Sequence, residues 1–118
     1  MKLVAALVIA VAFPLAALAA RPVDVTGVYQ SNWDVVRLVQ HGKHVTGTYV
    51  CCGGGTIDGE IVEDRILRYR WHEPRGAGDG IGVWKLEGDR LDGTWGRKTV
   101  DDGGPWTLSR VRDTQIAQ

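Results

Sequence analysis

Two adjacent cysteines, Cys51 and Cys52, are the only thiols in this chain of 118 residues. In an oxidising compartment such thiols form disulfides. A bond between the two would be a vicinal disulfide, whose Cα atoms, about 3.8 Å apart, are closer than in ordinary disulfides. An intermolecular disulfide and two free thiols, one inward and one outward, are the alternatives. The chain lacks the Cys-x-x-Cys motif that is typical of redox enzymes.

His41 and His44 flank a predicted turn, Gly42-Lys43, where two imidazoles could bind a metal ion. The cysteines cannot complete such a site, because at ~3.3 Å per strand residue they lie roughly 23 Å from His44. We therefore interpret this segment as a solvated turn and predict neither a metal nor another cofactor. His72 stands alone, and the acidic residues have no spacing that indicates catalysis. The sequence predicts a protein that is not an enzyme.

The charge balance argues against two classes of partner. Lysine plus arginine and aspartate plus glutamate each number 14, so the formal net charge at pH 7 is zero. Nucleic acids and anionic membrane surfaces both require clustered basic residues, and we expect neither as a partner. Outside the first 20 residues the aromatic side chains are five Trp and three Tyr. Rings with a polar group suit a cavity or a surface better than a dry core.

A secretory signal peptide is predicted over residues 1–19. Lys2 precedes an apolar run that continues to Ala20, and small residues occupy both positions that direct cleavage. An uncleaved membrane anchor is the alternative, although the run is near the lower limit for crossing a bilayer and no basic cluster follows it. Cleavage would leave residues 20–118 as a single domain in the periplasm or outside the cell.

The rest of the chain is organised around a repeated strand pattern, in which an apolar residue, a glycine and an aromatic residue occupy alternate positions. The pattern occurs at 25–29, 45–49 and 91–95. Because side chains in a strand alternate between faces, all three residues project from the same face. We predict eight short strands without helical periodicity, at 25–31, 33–40, 44–51, 56–62, 66–72, 80–87, 90–97 and 105–112.

Turn lengths predict how these strands pair. Two-residue turns at Gly42-Lys43 and Gly88-Asp89 begin with the glycine that a type II′ turn favours, and a three-residue turn spans 63–65. With these turns the apolar faces of neighbouring strands coincide, which predicts an all-β, eight-stranded antiparallel up-and-down barrel. The predicted interior residues are Val25, Tyr29, Val36, Leu38, Val45, Tyr49, Ile57, Ile61, Leu67, Tyr69, Trp71, Trp84, Leu86, Leu91, Trp95, Trp106 and Leu108.

One end of the predicted barrel carries the longer, glycine-rich connections, at 52–55, 73–79 and 98–104. Function is expected at this end, because loops on a rigid scaffold and barrel mouths are common binding sites. Four polar residues are predicted to face inward here: Ser31, Asp34, Cys51 and Arg97. Burying the charged side chains of Asp34 and Arg97 inside the barrel costs free energy unless they are paired with each other, with water or with a ligand. A structural pair and a ligand contact both remain open.

Several strands resemble those of the avidin and streptavidin barrels, and of calycins more generally. Gly27-Val28-Tyr29 is similar to the opening Gly-Thr-Trp strand of that family, and Gly47-Thr48-Tyr49 to its Gly-Thr-Tyr strand. Segments 83–85 and 105–109 are similar to its later Trp-bearing strands. Gly-x-aromatic strands of this kind also resemble those of a broad set of secreted bacterial proteins.

The resemblance implies that Tyr49 faces a carbonyl group of a ligand and that Trp84 and Trp106 form the wall of its pocket. Ser31 and Cys51 stand where the family has Asn and Ser, and the family's terminal Asp has no counterpart. Biotin is therefore not the expected ligand.

We interpret the protein as a barrel that binds a small apolar or aromatic ligand at its loop-rich end. The predicted contacts are Ser31, Asp34, Tyr49, Trp71, Trp84, Trp95, Arg97 and Trp106. One alternative is a core filled by its own tryptophans, with function in the surface loops. A second is a protein-binding module, such as an inhibitor of a secreted hydrolase, supported by an outward Trp33 beside Val35 and Val50. Outward Val35, Val39 and Val50 are also consistent with a homo-oligomer face.

Overall fold

Eight antiparallel strands form a closed barrel in the computed structural model, which describes residues 23–112. Each strand pairs with the next along the chain, and the last closes the barrel against the first. The predicted up-and-down barrel is confirmed, whereas the predicted signal peptide lies outside the described residues. Within 23–112, no helix is long and apolar enough to cross a membrane. The strands are β1 (Gly27–Ser31), β2 (Val36–His41), β3 (His44–Tyr49), β4 (Gly55–Val62), β5 (Ile66–Glu73), β6 (Gly78–Glu87), β7 (Arg90–Arg97) and β8 (Gly104–Arg110).

The three tight hairpins pair as their turn lengths predict. Leu38 lies opposite Gly47 in the β2–β3 hairpin, and the β4–β5 and β6–β7 hairpins also have the predicted register. Gly42 and Gly88 have φ values of 65° and 62°. A positive φ at the first turn position is what a type II′ turn requires, and glycine adopts it without a steric cost.

The inner face of the barrel is the predicted apolar face. All the predicted interior residues are buried except Trp95, which is half-buried. Large rings fit because glycines stand opposite them: Gly82 pairs with Tyr69 and Gly80 with Trp71. A Cβ atom on either glycine would overlap the facing ring. Glycines opposite large aromatic residues therefore leave space for the rings to lie across the neighbouring strand.

The connections at the two ends of the barrel differ in length. Tight turns join β2 to β3, β4 to β5 and β6 to β7 at one end. The opposite end carries four longer connections, including a 3-10 turn at Cys51–Gly53 between β3 and β4. This loop-rich rim agrees with the prediction, and it is where the inner aromatic residues reach the surface.

The segment before β2 differs from the predicted strand. Strand β2 begins at Val36, whereas the sequence pattern predicts a start at residue 33. Asp34 has a φ of 70°, and its N–H donates a hydrogen bond to the Ser31 carbonyl at 3.1 Å, which makes this segment a turn. Trp33 therefore lies in a loop at the rim and not on a strand as predicted, although its side chain is exposed as predicted. Similarly, β3 ends at Tyr49, so Cys51 belongs to a loop.

Candidate functional site

A cavity of about 340 Å³ opens at the loop-rich rim. We call it the rim cavity. Strands β3, β5, β7 and β8 supply its inner wall, and the loops after β1, β3 and β5 supply its edge. Five of its lining residues are aromatic, and two carry ionisable groups that are not aromatic. The lining residues are Trp33, Tyr49, Cys51, Cys52, Trp71, Glu73, Gly76, Ala77, Trp95, Arg97 and Trp106.

The aromatic wall is built from rings that meet edge to face. Tyr49 and Trp106 have ring centroids 5.1 Å apart with an interplanar angle of 83°, and Trp71 and Trp95 meet similarly at 6.2 Å. The indole N–H of Trp71 donates to the Gly96 carbonyl at 3.0 Å. Because this polar edge is bonded to the backbone of β7, Trp71 offers mainly apolar ring surface to the cavity.

Trp33 and Trp95 form the outer part of the wall. Their rings meet at 5.8 Å and 89°, and Trp33 is 41% exposed. The buried indole nitrogen of Trp95 has no hydrogen-bond partner within residues 23–112. Hydrogen bonding therefore does not fix the Trp95 ring as it fixes Trp71. The sequence pattern missed Trp33 because the turn at Asp34, which brings this ring over the cavity, leaves no periodic signal.

Glu73 supplies a buried carboxylate at the cavity and was missed by the sequence analysis, which assigned 73–79 to a loop. It ends β5, is 9% exposed and receives two hydrogen bonds. The Tyr49 hydroxyl donates to its Oε2 at 2.7 Å, and the Ala77 N–H donates to its Oε1 at 3.2 Å. The sequence does contain a pattern that indicates an inward Glu73, because Glu73 continues the alternation by which Tyr69 and Trp71 lie on the inner face.

The environment of Tyr49 reflects this carboxylate. Burial raises the pKa of Tyr49 well above its ordinary range, and the hydrogen bond to Glu73 together with the negative charge of Glu73 raises that pKa further. The phenol therefore stays protonated under physiological conditions. Its hydroxyl acts as a hydrogen-bond donor to Glu73, so it is already engaged and does not point freely at a ligand.

Cys51 and Cys52 are joined by a disulfide at the edge of the cavity. Of the three alternatives drawn from the sequence, the structure has the vicinal disulfide. The two cysteines lie in the 3-10 turn, where Cys52 has a φ of 68° and the Gly54 N–H donates to the Cys51 carbonyl at 2.9 Å. Cys51 is half-buried and packs against the core, and both residues present sulfur-bearing side chains to the rim.

The predicted inward pair of Asp34 and Arg97 does not form. Both residues are exposed, and the ion pairs within 23–112 do not join them. Asp34 Oδ1 instead accepts a hydrogen bond from the Val35 N–H at 2.7 Å, and the residue does not line the cavity. The prediction that Asp34 faces inward is wrong, because the positive φ at this position turns the chain before β2 begins. Arg97 does line the cavity, at its exposed mouth.

Ser31 and Trp84 support the wall rather than line the cavity. Ser31 Oγ accepts hydrogen bonds from the Trp106 indole N–H at 3.1 Å and from the Trp33 N–H at 2.9 Å. Trp84 is fully buried deeper in the barrel, where its ring stacks on Tyr69 at 4.0 Å. Its N–H donates to the Trp106 carbonyl at 3.0 Å. Ser31 and Trp84 therefore do not line the rim cavity, whereas the predicted contacts Tyr49, Trp71, Trp95, Arg97 and Trp106 do.

Two of the histidines, His41 and His44, lie at the opposite end of the barrel. His41 and His44 are the last pair of the β2–β3 hairpin, and His44 Nε2 lies 3.2 Å from Asp58 Oδ1. In the described part of the chain, no group of three or more His, Cys, Asp or Glu side chains is arranged to hold a metal ion.

The chain matches no family model, no curated protein and no solved structure. The resemblance to the avidin and calycin barrels therefore stays a prediction.

Proposed function

We propose that the protein is an exported, non-enzymatic barrel that binds a small apolar or aromatic molecule in the rim cavity. The observation that carries this proposal is the set of five aromatic residues around an opening of about 340 Å³. Apolar clefts of roughly 300–1,000 Å³ with a few placed polar groups are typical ligand sites. A barrel filled entirely by its own side chains would leave no such space at the rim.

The lining of the rim cavity supports binding rather than catalysis. The disulfide supports export of the protein rather than its retention in a reducing compartment. The lining of the rim cavity contains no histidine, lysine, serine or threonine, its two cysteines are joined in a disulfide, and the raised pKa of Tyr49 keeps that phenol protonated beside Glu73, so no activated nucleophile lies among these side chains. The disulfide between Cys51 and Cys52 is typical of proteins in oxidising compartments. Together with the apolar segment at 1–19, it supports a periplasmic or extracellular location.

A dye-displacement experiment tests this proposal. Tryptophan emission of the purified protein is followed while a neutral, environment-sensitive hydrophobic dye is added, and a panel of small apolar and aromatic molecules is then used to displace it. We expect the dye to quench the tryptophans of the wall and to be displaced by some members of the panel. The variant Ala77→Trp, which adds a ring at the cavity edge, should bind the dye ~tenfold more weakly or worse.

The matched control is Val39→Trp, which adds the same ring to the exposed outer face of β2. It should bind the dye as the wild type does. Absence of dye uptake by the wild type, or equal uptake by Ala77→Trp and Val39→Trp, would contradict the proposal.

Protein binding through the same rim is the second candidate function. Trp33 is 41% exposed and Val50 is 60% exposed, and both flank the rim loops. Exposed apolar side chains that cluster on one surface often mark a protein interface. The test is capture of a partner, such as a secreted hydrolase, by the wild type and by the double variant Trp33→Ser/Val50→Ser. Equal capture by both would exclude this surface as the interface.

A further inference from the structure

The buried carboxylate of Glu73 has no cationic partner within the described residues. The ion pairs in 23–112 are His44–Asp58, Arg90–Asp92 and Arg110–Asp89, and none involves Glu73. Its two hydrogen bonds, from the Tyr49 hydroxyl and the Ala77 N–H, come from neutral donors. A carboxylate removed from water without a counter-charge is costly, and hydrogen bonds from neutral groups offset only part of that cost. Glu73 therefore places in the rim cavity a carboxylate that no ion pair within the described residues compensates.

The aromatic rings of the cavity, like the carboxylate of Glu73, attract positive charge. Tyr49, Trp71, Trp95 and Trp106 line the cavity together with Glu73. The face of an aromatic ring carries partial negative charge, and it attracts cations within about 6 Å of its centroid. Indole is the most effective of these rings, and most of this wall is indole. A positive charge in the cavity would thus meet both a carboxylate and several aromatic rings.

We propose that the molecule bound in the rim cavity is an organic ammonium ion with apolar substituents. This inference rests on the proposed function and narrows its ligand to one chemical class. A metal ion fits poorly, because a single carboxylate among indoles offers too few oxygen ligands. A protonated amine with methyl or aromatic substituents fits better, because its substituents bury against the rings while its charge faces Glu73 and the ring faces.

Arg97 does not reverse this preference. It lines the mouth of the cavity but is exposed, so water and salt screen its charge. Glu73 is buried, and its charge acts through a medium of lower dielectric constant. The charge that a ligand meets inside the cavity is therefore negative, whereas the charge at the entrance is positive and screened.

A pair of probes of nearly equal shape tests the inference. Choline and 3,3-dimethylbutan-1-ol differ in the replacement of a quaternary nitrogen by carbon, so they have the same outline but only the first is charged. Each is titrated into the full protein, with tryptophan emission and displacement of the neutral dye as readouts. We expect choline to bind at least ~tenfold more tightly than the alcohol. Glu73→Gln should reduce this preference to about threefold or less, because it keeps the shape of the side chain and removes its charge.

The control variant is Glu60→Gln, which makes the same change at an exposed position on β4 and should keep the wild-type preference. The comparison of the two probes on the wild type requires no variant, so it decides the question even if Glu73→Gln does not fold. Binding of the alcohol as tightly as choline, binding of neither probe while the dye binds, or an unchanged preference in Glu73→Gln would overturn the inference. If the dye binds in any of those outcomes, the cavity still binds apolar molecules, so the proposed function stands although the inference fails. If neither the dye nor either probe binds, the proposed function fails as well.

Discussion

The bond between Tyr49 and Glu73 is the polar contact on which the geometry of the rim cavity depends. The carboxylate lies between the Tyr49 hydroxyl, on the inner wall, and the Ala77 N–H, on the loop after β5. It therefore links the β3 strand to a rim loop. Hydrogen bonds to a charged group contribute about 1.5–3 kcal/mol, whereas those between neutral groups contribute about 0.5–1.5 kcal/mol.

This difference predicts an unequal effect of two tyrosine substitutions. Tyr49→Phe should lower the free energy of unfolding by about 2–3 kcal/mol, because it leaves the buried carboxylate with one donor fewer. Tyr69→Phe removes a bond from the Tyr69 hydroxyl to the Thr94 carbonyl at 3.0 Å, both neutral, and should cost about 1 kcal/mol. Urea denaturation of both variants measures the difference. An equal cost would contradict the stronger hydrogen bond that we assign to Tyr49 and Glu73.

The sequence predicts the inner wall of the site better than its edge. Tyr49, Trp71, Trp95 and Trp106 lie on strands, where alternation determines which face a side chain occupies. Trp33 lies in a loop, whose path depends on contacts with distant residues, such as the hydrogen bond from the Asn32 side chain to the Pro105 carbonyl at 2.9 Å. Such contacts leave no local pattern, so the position of Trp33 could not be read from the sequence.

At the scale of the strands, the pairing of glycines with rings is the main organising feature. Tyr49 lies opposite Gly55, Tyr69 opposite Gly82 and Trp84 opposite Gly93. Alternation and turn length predicted the third of these registers, in the β6–β7 hairpin, because a shift by one residue would expose the whole apolar face. The other two lie across longer connections, whose lengths do not determine a register. The pattern also predicts which small substitution the strands will not tolerate.

Gly82→Ala is that substitution. The new methyl group would overlap the Tyr69 phenol and approach the Thr94 carbonyl. Overpacking of this kind typically costs about 1–3 kcal/mol, and we expect a loss of that size in urea denaturation. Lys85→Ala, at an exposed position on the same strand, should change stability by less than ~0.5 kcal/mol. The double variant Gly82→Ala/Tyr69→Leu should lose less than the sum of its single changes, because leucine lacks both phenol atoms that overlap the new methyl group. Additive losses would contradict the steric explanation.

At the scale of the whole molecule, closure of the barrel depends on the seam between β1 and β8. Arg110, the last residue of β8, donates hydrogen bonds to the Thr26 and Asp24 carbonyls at 2.6 and 3.0 Å. Its guanidinium also lies 5.2 Å from the centre of the Tyr29 ring. The Tyr29 hydroxyl donates to the Val25 carbonyl at 2.7 Å, which fixes the chain just before β1. A buried phenol is thus part of the seam that closes the barrel.

This burial predicts that the folded protein loses stability at alkaline pH. Burial raises the pKa of Tyr29 from about 10 to about 12, with a smaller opposing effect of Arg110, and it also raises the pKa values of Tyr49 and Tyr69. The unfolded chain therefore releases phenol protons near pH 10, before the folded chain does. The stabilisation is fully present below pH ~10 and is lost as pH rises towards 12, by up to about 1.4 kcal/mol per pH unit for each tyrosine.

A spectroscopic titration checks this expectation. Phenolate absorbance and tryptophan emission are recorded together as the pH rises from 8 to 13. We expect little phenolate near pH 10, followed by a cooperative rise that coincides with the emission change of unfolding. In Tyr29→Phe the stability that remains should fall less steeply with pH, because one raised pKa has been removed. Phenolate that appears near pH 10 while the emission stays native would mean that the tyrosines are open to water and that the seam is not closed as described.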